Sequence, residues 1–182
     1  MPNLEVRQHD ICTDALPEAA FDIIHARLLL EHLPPRLAVL EKLADALAPG
    51  GWLLIEDLDF TGWLNLPEEK LPVSPQTIRA AYQAAFLASA STGSWDGEWA
   101  RDLPIHFMNL GLSRVGAEVC APIIFGGSPQ AAFVTVSIRQ LVPLLVEGGY
   151  VSQADLDALI DAFERPGAMV GGYSMVSAWG TP

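Results

Sequence analysis

The sequence predicts an α/β domain built on a parallel sheet, and three observations predict it. Trp52-Leu53-Leu54-Ile55 is apolar without alternation, as expected of a central strand buried on both faces. Phe21-Asp22-Ile23-Ile24 reads as a shorter strand, and an amphipathic helix lies between the two, which is how parallel neighbours are joined. Polar residues gather where both strands end, His25 and Arg27 with Ala26 after the first, and Glu56, Asp57 and Asp59 after the second. Sheets of this kind take ligands at their strand C-termini.

The elements follow in order. Leu4 to Gln8 alternates apolar and polar side chains, the period of a strand with one covered face, and delivers Asp10 to its exit. After the strand at Phe21, Leu37, Leu40, Ala44 and Leu47 recur at helical spacing between Pro34-Pro35 and Pro49-Gly50-Gly51, so one helix with clean ends is expected. Pro75 to Ser89 reads as helical, and a second short helix within Trp95 to Leu110 stops at Gly111; together they are expected to cap the sheet edge. Ser113 to Ala121 alternates again and reads as a strand. Gly126-Gly127-Ser128-Pro129 opens a helix with Val134, Ile138, Leu141 and Leu145 on one stripe and a kink at Pro143. Ser152 to Asp155 resembles a capping box, starting a helix that buries Leu156, Leu159, Ile160 and Phe163. Tyr173 to Trp179 is the expected last strand.

Composition narrows the function classes. A chain of 182 residues with 51% apolar content suits one domain with a real core. Its formal net charge of -12 repels nucleic acid and anionic membrane surfaces, so neither is an expected partner, and a small molecule is. Cys12 and Cys120 form no C-x-x-C pair, and neither a disulfide framework nor a metal site is indicated. No stretch reaches the roughly 20 apolar residues of a bilayer span, and Met1 to Asp10 lack a signal-peptide core. The expected location is the cytoplasm.

Asp10-Ile11, Phe21 to Arg27, Leu30-Glu31-His32-Leu33 and Leu47 to Asp57, with Pro49-Gly50-Gly51 inside the last, stand in order within about 50 residues. In this succession the chain resembles the second half of a class I S-adenosylmethionine-dependent methyltransferase of the bacterial small-molecule type. The terminal strand ending in Ala178-Trp179-Gly180 resembles the family's tail. The resemblance implies a Rossmann-like sheet that is N-terminally truncated, its first two strands and their Gly-x-Gly-x-Gly turn missing, with a helical cap. The expected division is 1–59 for the second half of the cofactor region, 60–111 for the cap and 112–182 for the C-terminal strands and helices of one domain. No Gly-x-Gly occurs anywhere in the sequence. The missing strands leave a gap between the Leu4 and Phe21 strands. Either these two pair directly, or another copy or another chain supplies the edge, or the sequence is a fragment of a longer protein. A truncated chain that associates, as a homo-oligomer or with a complementing chain, is the favoured expectation.

The family also implies site residues. The cofactor is S-adenosylmethionine, with Asp10 accepting from the adenine amine, Ile11 beside the ring, and His25, Ala26 and Arg27 lining the methionine end. A turn-capping role for Asp10 and an ion pair of Arg27 with Glu31 are the structural alternatives. His32 is the candidate proton acceptor, with a packed, hydrogen-bonded histidine as its structural alternative. Glu56 and Asp57 stand where a substrate would approach, with Trp63 and His106 as further substrate contacts. Asp59 reads better as a solvated or backbone-bonded acid. With Trp63, the side chains of Trp95, Trp99, Phe107 and Met108 could clamp an apolar substrate or the sulfonium, and cap-to-sheet packing accounts for most of them just as well. The expected activity is O-, N- or C-methylation of a small molecule, with cofactor binding weak in the isolated chain because the glycine cradle is missing. The alternative is a non-catalytic methyltransferase-like module completed by a partner.

Overall fold

The structure, a computed structural model, describes residues 3–63, 95–171 and 173–182. Strand β2, Leu47–Trp63, organises it. Along one side it pairs in parallel with β1, Phe21–Arg27. Along the other it pairs antiparallel with β6, Tyr173–Thr181, which in turn pairs antiparallel with β3, Ser113–Cys120. The order across the sheet is β1-β2-β6-β3. Ile24 lies opposite Leu53 and Ala26 opposite Ile55, so the two strands expected to be parallel neighbours are.

Helix α1, Arg36–Asp45, makes the crossover between them. Leu47, expected in the helix, and Pro49-Gly50-Gly51, expected as a turn, instead belong to β2, where they form an irregularity in its register with β1 that needs glycine at two positions. Gly50 has φ 80°, a left-handed conformation open to glycine, and a Cβ on Gly51 would stand 2.9 Å from the Phe21 carbonyl oxygen. The close approach of β1 and β2 depends on Gly51, and the path of the backbone into it on Gly50.

Side chains alternate strictly along β2. Leu53, Ile55, Asp57 and Asp59 are buried on one face, while Trp52, Leu54, Glu56 and Leu58 are half-buried on the other. The buried face packs against α1, a 3₁₀ turn at Trp99–Asp102 and helix α2, Leu103–Asn109. Leu30, Leu40, Trp99, Leu103 and Phe107 complete this core, each large apolar side chain contributing on the order of 1.5–3 kcal/mol by leaving water. A second core lies between helix α3, Pro129–Glu147, and helix α4, Gln153–Glu164, beside a ribbon of β4, Ile123–Phe125, and β5, Met169–Gly171. Ser152 caps α4 as expected, its Oγ accepting from the Asp155 amide at 3.1 Å.

Three further expectations are corrected. Leu4 to Gln8 forms no strand; it is irregular and exposed, with Leu4 and Val6 in solvent, because a strand period is realised only where a ladder partner exists. Strand β2 does not end at Ile55 but continues beside β6, so Glu56, Asp57 and Asp59 lie within it on alternating faces. The described part of the expected cap, from Trp95 to Leu110, is instead a layer of the main core, with Trp99, Ala100, Leu103 and Phe107 buried. The helix expected at Pro75 to Ser89 lies outside the described residues. Pro143 lies inside α3, at the position where the kink is expected, and the β4-β5 ribbon is an addition the sequence did not predict. Its strands have three residues each, too few to show a period.

Candidate functional site

The parallel ladder ends where Arg27 lies opposite Glu56. The chain then turns through Leu28, whose φ of 52° is left-handed for a residue with a side chain and costs about 1–2 kcal/mol. The Leu28 amide nonetheless continues the ladder, donating to the Glu56 carbonyl at 2.8 Å. A cavity of about 580 Å³ opens at this edge. Its floor is Arg27, Leu28, Glu56 and Leu58 with Met175 and Ser177 of β6, and its walls include Ile124, Pro129, Phe133 and Val134. The lining is mostly apolar, and its charged groups, Arg27 and Glu56, sit together.

Glu56 is held rigidly. The Ser177 hydroxyl donates to its Oε1 at 2.8 Å, and His25 Nε2 stands 2.8 Å from its Oε2. These contacts, Ser177 first and His25 second, keep its carboxyl below the usual range, so it is ionised at neutral pH. The site therefore offers a fixed carboxylate, a guanidinium and an imidazole beside an apolar chamber. Such a chamber can orient a small apolar molecule by its polar end and receive a proton from it.

On the opposite face of β2 the acids are internal. Asp57 is fully buried and accepts from the Leu29 amide at 3.0 Å and from Trp99 Nε1 at 3.1 Å. Burial pushes its carboxyl up to about 6. Glu31, also buried, accepts from the Leu58 amide at 3.0 Å, and burial together with neighbouring Asp57 pushes it up to about 7. Asp59 forms a 3.5 Å ion pair with Arg101.

The structure thus brings His25, Arg27 and Glu56 together and disperses the remaining candidates. Ala26 is buried on the core face. Asp57 gives its oxygens to internal donors, which leaves no acceptor facing a substrate. His32 Nε2 lies 3.2 Å from Glu31 Oε1, away from the cavity lining, and its pKa is lowered by burial and by Arg36. Glu31 is occupied by His32 and Leu58, not by Arg27. Asp10 does cap a local turn, Oδ1 accepting from the Cys12 amide at 2.9 Å, while the Ile11 carbonyl accepts from Lys42 Nζ at 2.8 Å. His106 stacks on Trp99 with ring centroids 4.6 Å apart, and it lines a separate cleft with Arg36, Asp96, Glu98 and Asp102. Trp63 pairs its backbone with Tyr173, and its side chain lies outside the described part.

Sequence reasoning missed Ser177 and the buried role of Glu31. Both carried a signal. Alternation through Tyr173 to Ala178 puts Ser177 on the face opposite Val176 and Ala178, and Glu31 follows the apolar run Leu28-Leu29-Leu30. Among the described residues no three His, Cys, Asp or Glu side chains group as metal ligands, and no helix is long and apolar enough to cross a membrane.

The architecture is shared with solved structures. A provisionally assigned methyltransferase of an antibiotic biosynthesis pathway in Anabaena variabilis superposes with a TM-score of 0.55 at 12% identity, covering 100% of this chain and 75% of that one. Phosphoethanolamine N-methyltransferase 2 of Haemonchus contortus, solved with phosphomonomethylethanolamine and S-adenosylhomocysteine, gives a TM-score of 0.50 at 16% identity, covering 95% of this chain and 36% of that one. At these identities the likeness is one of fold, a Rossmann-like α/β sheet. In sequence, methyltransferase str2 of Strobilurus tenacellus is 57% identical over 42 residues, 23% of this chain and only 15% of that relative's length. A family model described as a methyltransferase domain matches residues 2–95, half of the chain, and the chain belongs to that methyltransferase family.

Proposed function

We propose that the chain serves S-adenosylmethionine-dependent methyl transfer to a small molecule at the carboxyl end of β1, where its parallel ladder with β2 stops. The cavity of about 580 Å³ beside Arg27 and Glu56 carries this reading, because it stands at the edge where such sheets bind ligands. The bound cofactor supplies a methyl group on a sulfonium, open to in-line displacement by a substrate oxygen, nitrogen or carbon. The chain's own residues fit one end of it. Arg27 offers a cation to the methionine carboxylate, and Glu56 favours a sulfonium nearby. At the other end, the Asp10 oxygen not taken by Cys12 is the proposed acceptor for the adenine amine, with Ile11 beside the ring. The apolar walls exclude water and orient the substrate, and the Glu56-His25 pair, rather than His32, stands where a substrate proton could be received. Nothing in the 182 residues forms a Gly-x-Gly cradle, so this chain alone is expected to bind the cofactor weakly.

Titration with S-adenosylmethionine followed by amide chemical shifts tests both statements. The expected result is a millimolar transition with the largest shifts at Ala26 to Leu28 and Glu56 to Leu58, reduced in Arg27→Ala. Absence of shifts up to about 10 mM ligand would sink the site, and micromolar binding by a monomer would sink the expectation of a missing grip.

A second reading is favoured by one observation. Among the described residues β1 pairs only with β2, and Ile23 on it is 70% exposed. An unpaired, apolar edge strand is a surface for another chain, so the molecule is proposed to work as a homo-oligomer or as one part of a complementing pair.

A further inference from the structure

The turn that follows β1 is tied to β2 in both directions. Asp57 of β2 accepts from the Leu29 amide at 3.0 Å, and the Glu31 amide also donates to it. Glu31 in turn reaches back to accept from the Leu58 amide at 3.0 Å. Each carboxylate therefore holds the backbone that carries the other. Between the end of the ladder at Arg27 and the first attachment point at Leu29 lies Leu28, left-handed at φ 52°, a conformation that persists only where surrounding contacts enforce it. Arg27 and Leu28 on one strand, and Glu56 and Leu58 on the other, form the floor of the cavity, on the far face of the same backbone.

We propose that Glu31 and Asp57 are positioning residues, a reciprocal clamp that sets how firmly the Arg27-Leu28 floor is held against β2. The functional part of this inference rests on the methyl-transfer reading of the cavity; the clamp itself does not. Two buried carboxylates that act on one another electrostatically cannot both ionise cheaply. With one proton between them the pair carries a single negative charge, which the amides of Leu29, Glu31 and Leu58 and the indole of Trp99 can balance. With the proton lost, like charges repel across the turn, and the attachment at Leu28 loosens.

The charged surroundings are mixed. His32 on the turn touches Glu31, and Arg36 of α1 acts on both His32 and Asp57 while pairing with Asp96. Asp59, next along the buried face of β2, is paired with Arg101 of the 3₁₀ turn, and His106 of α2 stacks on Trp99. Glu56 lies on the opposite face, bound to Ser177 and His25. His32 is the solvent-side contact of the pair.

The experiment is an amide and indole chemical-shift titration of the full chain from about pH 5 to about pH 8.5. Leu29, Leu58 and the Trp99 indole, the last assigned by its loss in Trp99→Phe, are expected to shift together with a midpoint between about 6 and about 7. Arg27 and Leu28 should follow with the same midpoint. In Glu31→Gln, which keeps an acceptor for the Leu58 amide, the Leu58 shift should vanish and the Leu29 midpoint should fall. Independent or absent transitions, or an unchanged Leu29 midpoint in Glu31→Gln, overturn the clamp. If Arg27 and Leu28 stay still while the pair titrates, the positioning role is overturned. Absence of S-adenosylmethionine binding leaves all these transitions unaffected, so failure of the functional reading is told apart from failure of the clamp.

Discussion

Glu56, Asp57 and Asp59 stand within four positions of one another, yet the period of a strand gives them separate fates. Glu56 faces the cavity and is stabilised as an anion; Asp57 faces the core and resists ionising. The sequence revealed the acids and their place near the ladder's end, but not which of them were internal, because that depends on Trp99 and Glu31 arriving from elsewhere in the chain. The raised carboxyls have a measurable consequence. Glu31 binds its proton more tightly folded than unfolded, so the native state carries more protons between the ordinary carboxylate range and about 7, and its contribution to stability falls as pH rises through that window. Glu31→Gln removes the charge that must be buried at high pH. The variant is expected to gain about 1–3 kcal/mol over the parent near pH 8, an advantage that disappears near pH 4. Urea unfolding at the two pH values checks it, and an equal difference at both contradicts it.

At the scale of elements, the sequence was legible where local chemistry and tertiary context agree. Helix α1 lies between its prolines and its glycines, and α4 begins on its Ser152 cap. Leu4 to Gln8 shows the opposite case, a strand pattern with no strand, since alternation marks a surface but does not supply the partner that pairs its amides. The connection from β4 to α3 is the element on which the cavity wall depends. Its Gly126 amide donates to the Ala168 carbonyl at 2.9 Å, and a Cβ on Gly126 would overlap the Arg165 carbonyl. Gly126→Ala must push this connection away from the end of α4, carrying Ile124 and Pro129 with it. The expected cost is about 1–3 kcal/mol, typical of overpacking, read as a lowered urea midpoint with an unchanged slope. A neutral substitution would mean that the two segments are not packed as described.

For the whole molecule, the question is what covers the edge of β1 that no described residue pairs. Three strands of the sheet order lie to one side of it, and among the described residues nothing pairs on the other. Phe21 is 37% exposed and Ile23 70%, a combination that invites strand addition, since no proline or lysine stands in β1 to deter it. Opposing this is the net charge of -12, which sets two copies repelling one another at long range. Salt separates the two effects, because it screens the repulsion beyond about 10 Å at 0.1 M and leaves backbone pairing intact. Self-association through β1 should therefore strengthen as salt is raised, whereas association through surface ion pairs should weaken. Sedimentation equilibrium at low and high salt distinguishes them. Ile23→Lys, which adds a charge to the edge while leaving the buried face of β1 untouched, should lower association at every salt concentration. A parent chain that stays monomeric at about 100 μM, in the range where weak complexes form, would mean that this edge is not a docking surface for its own copies.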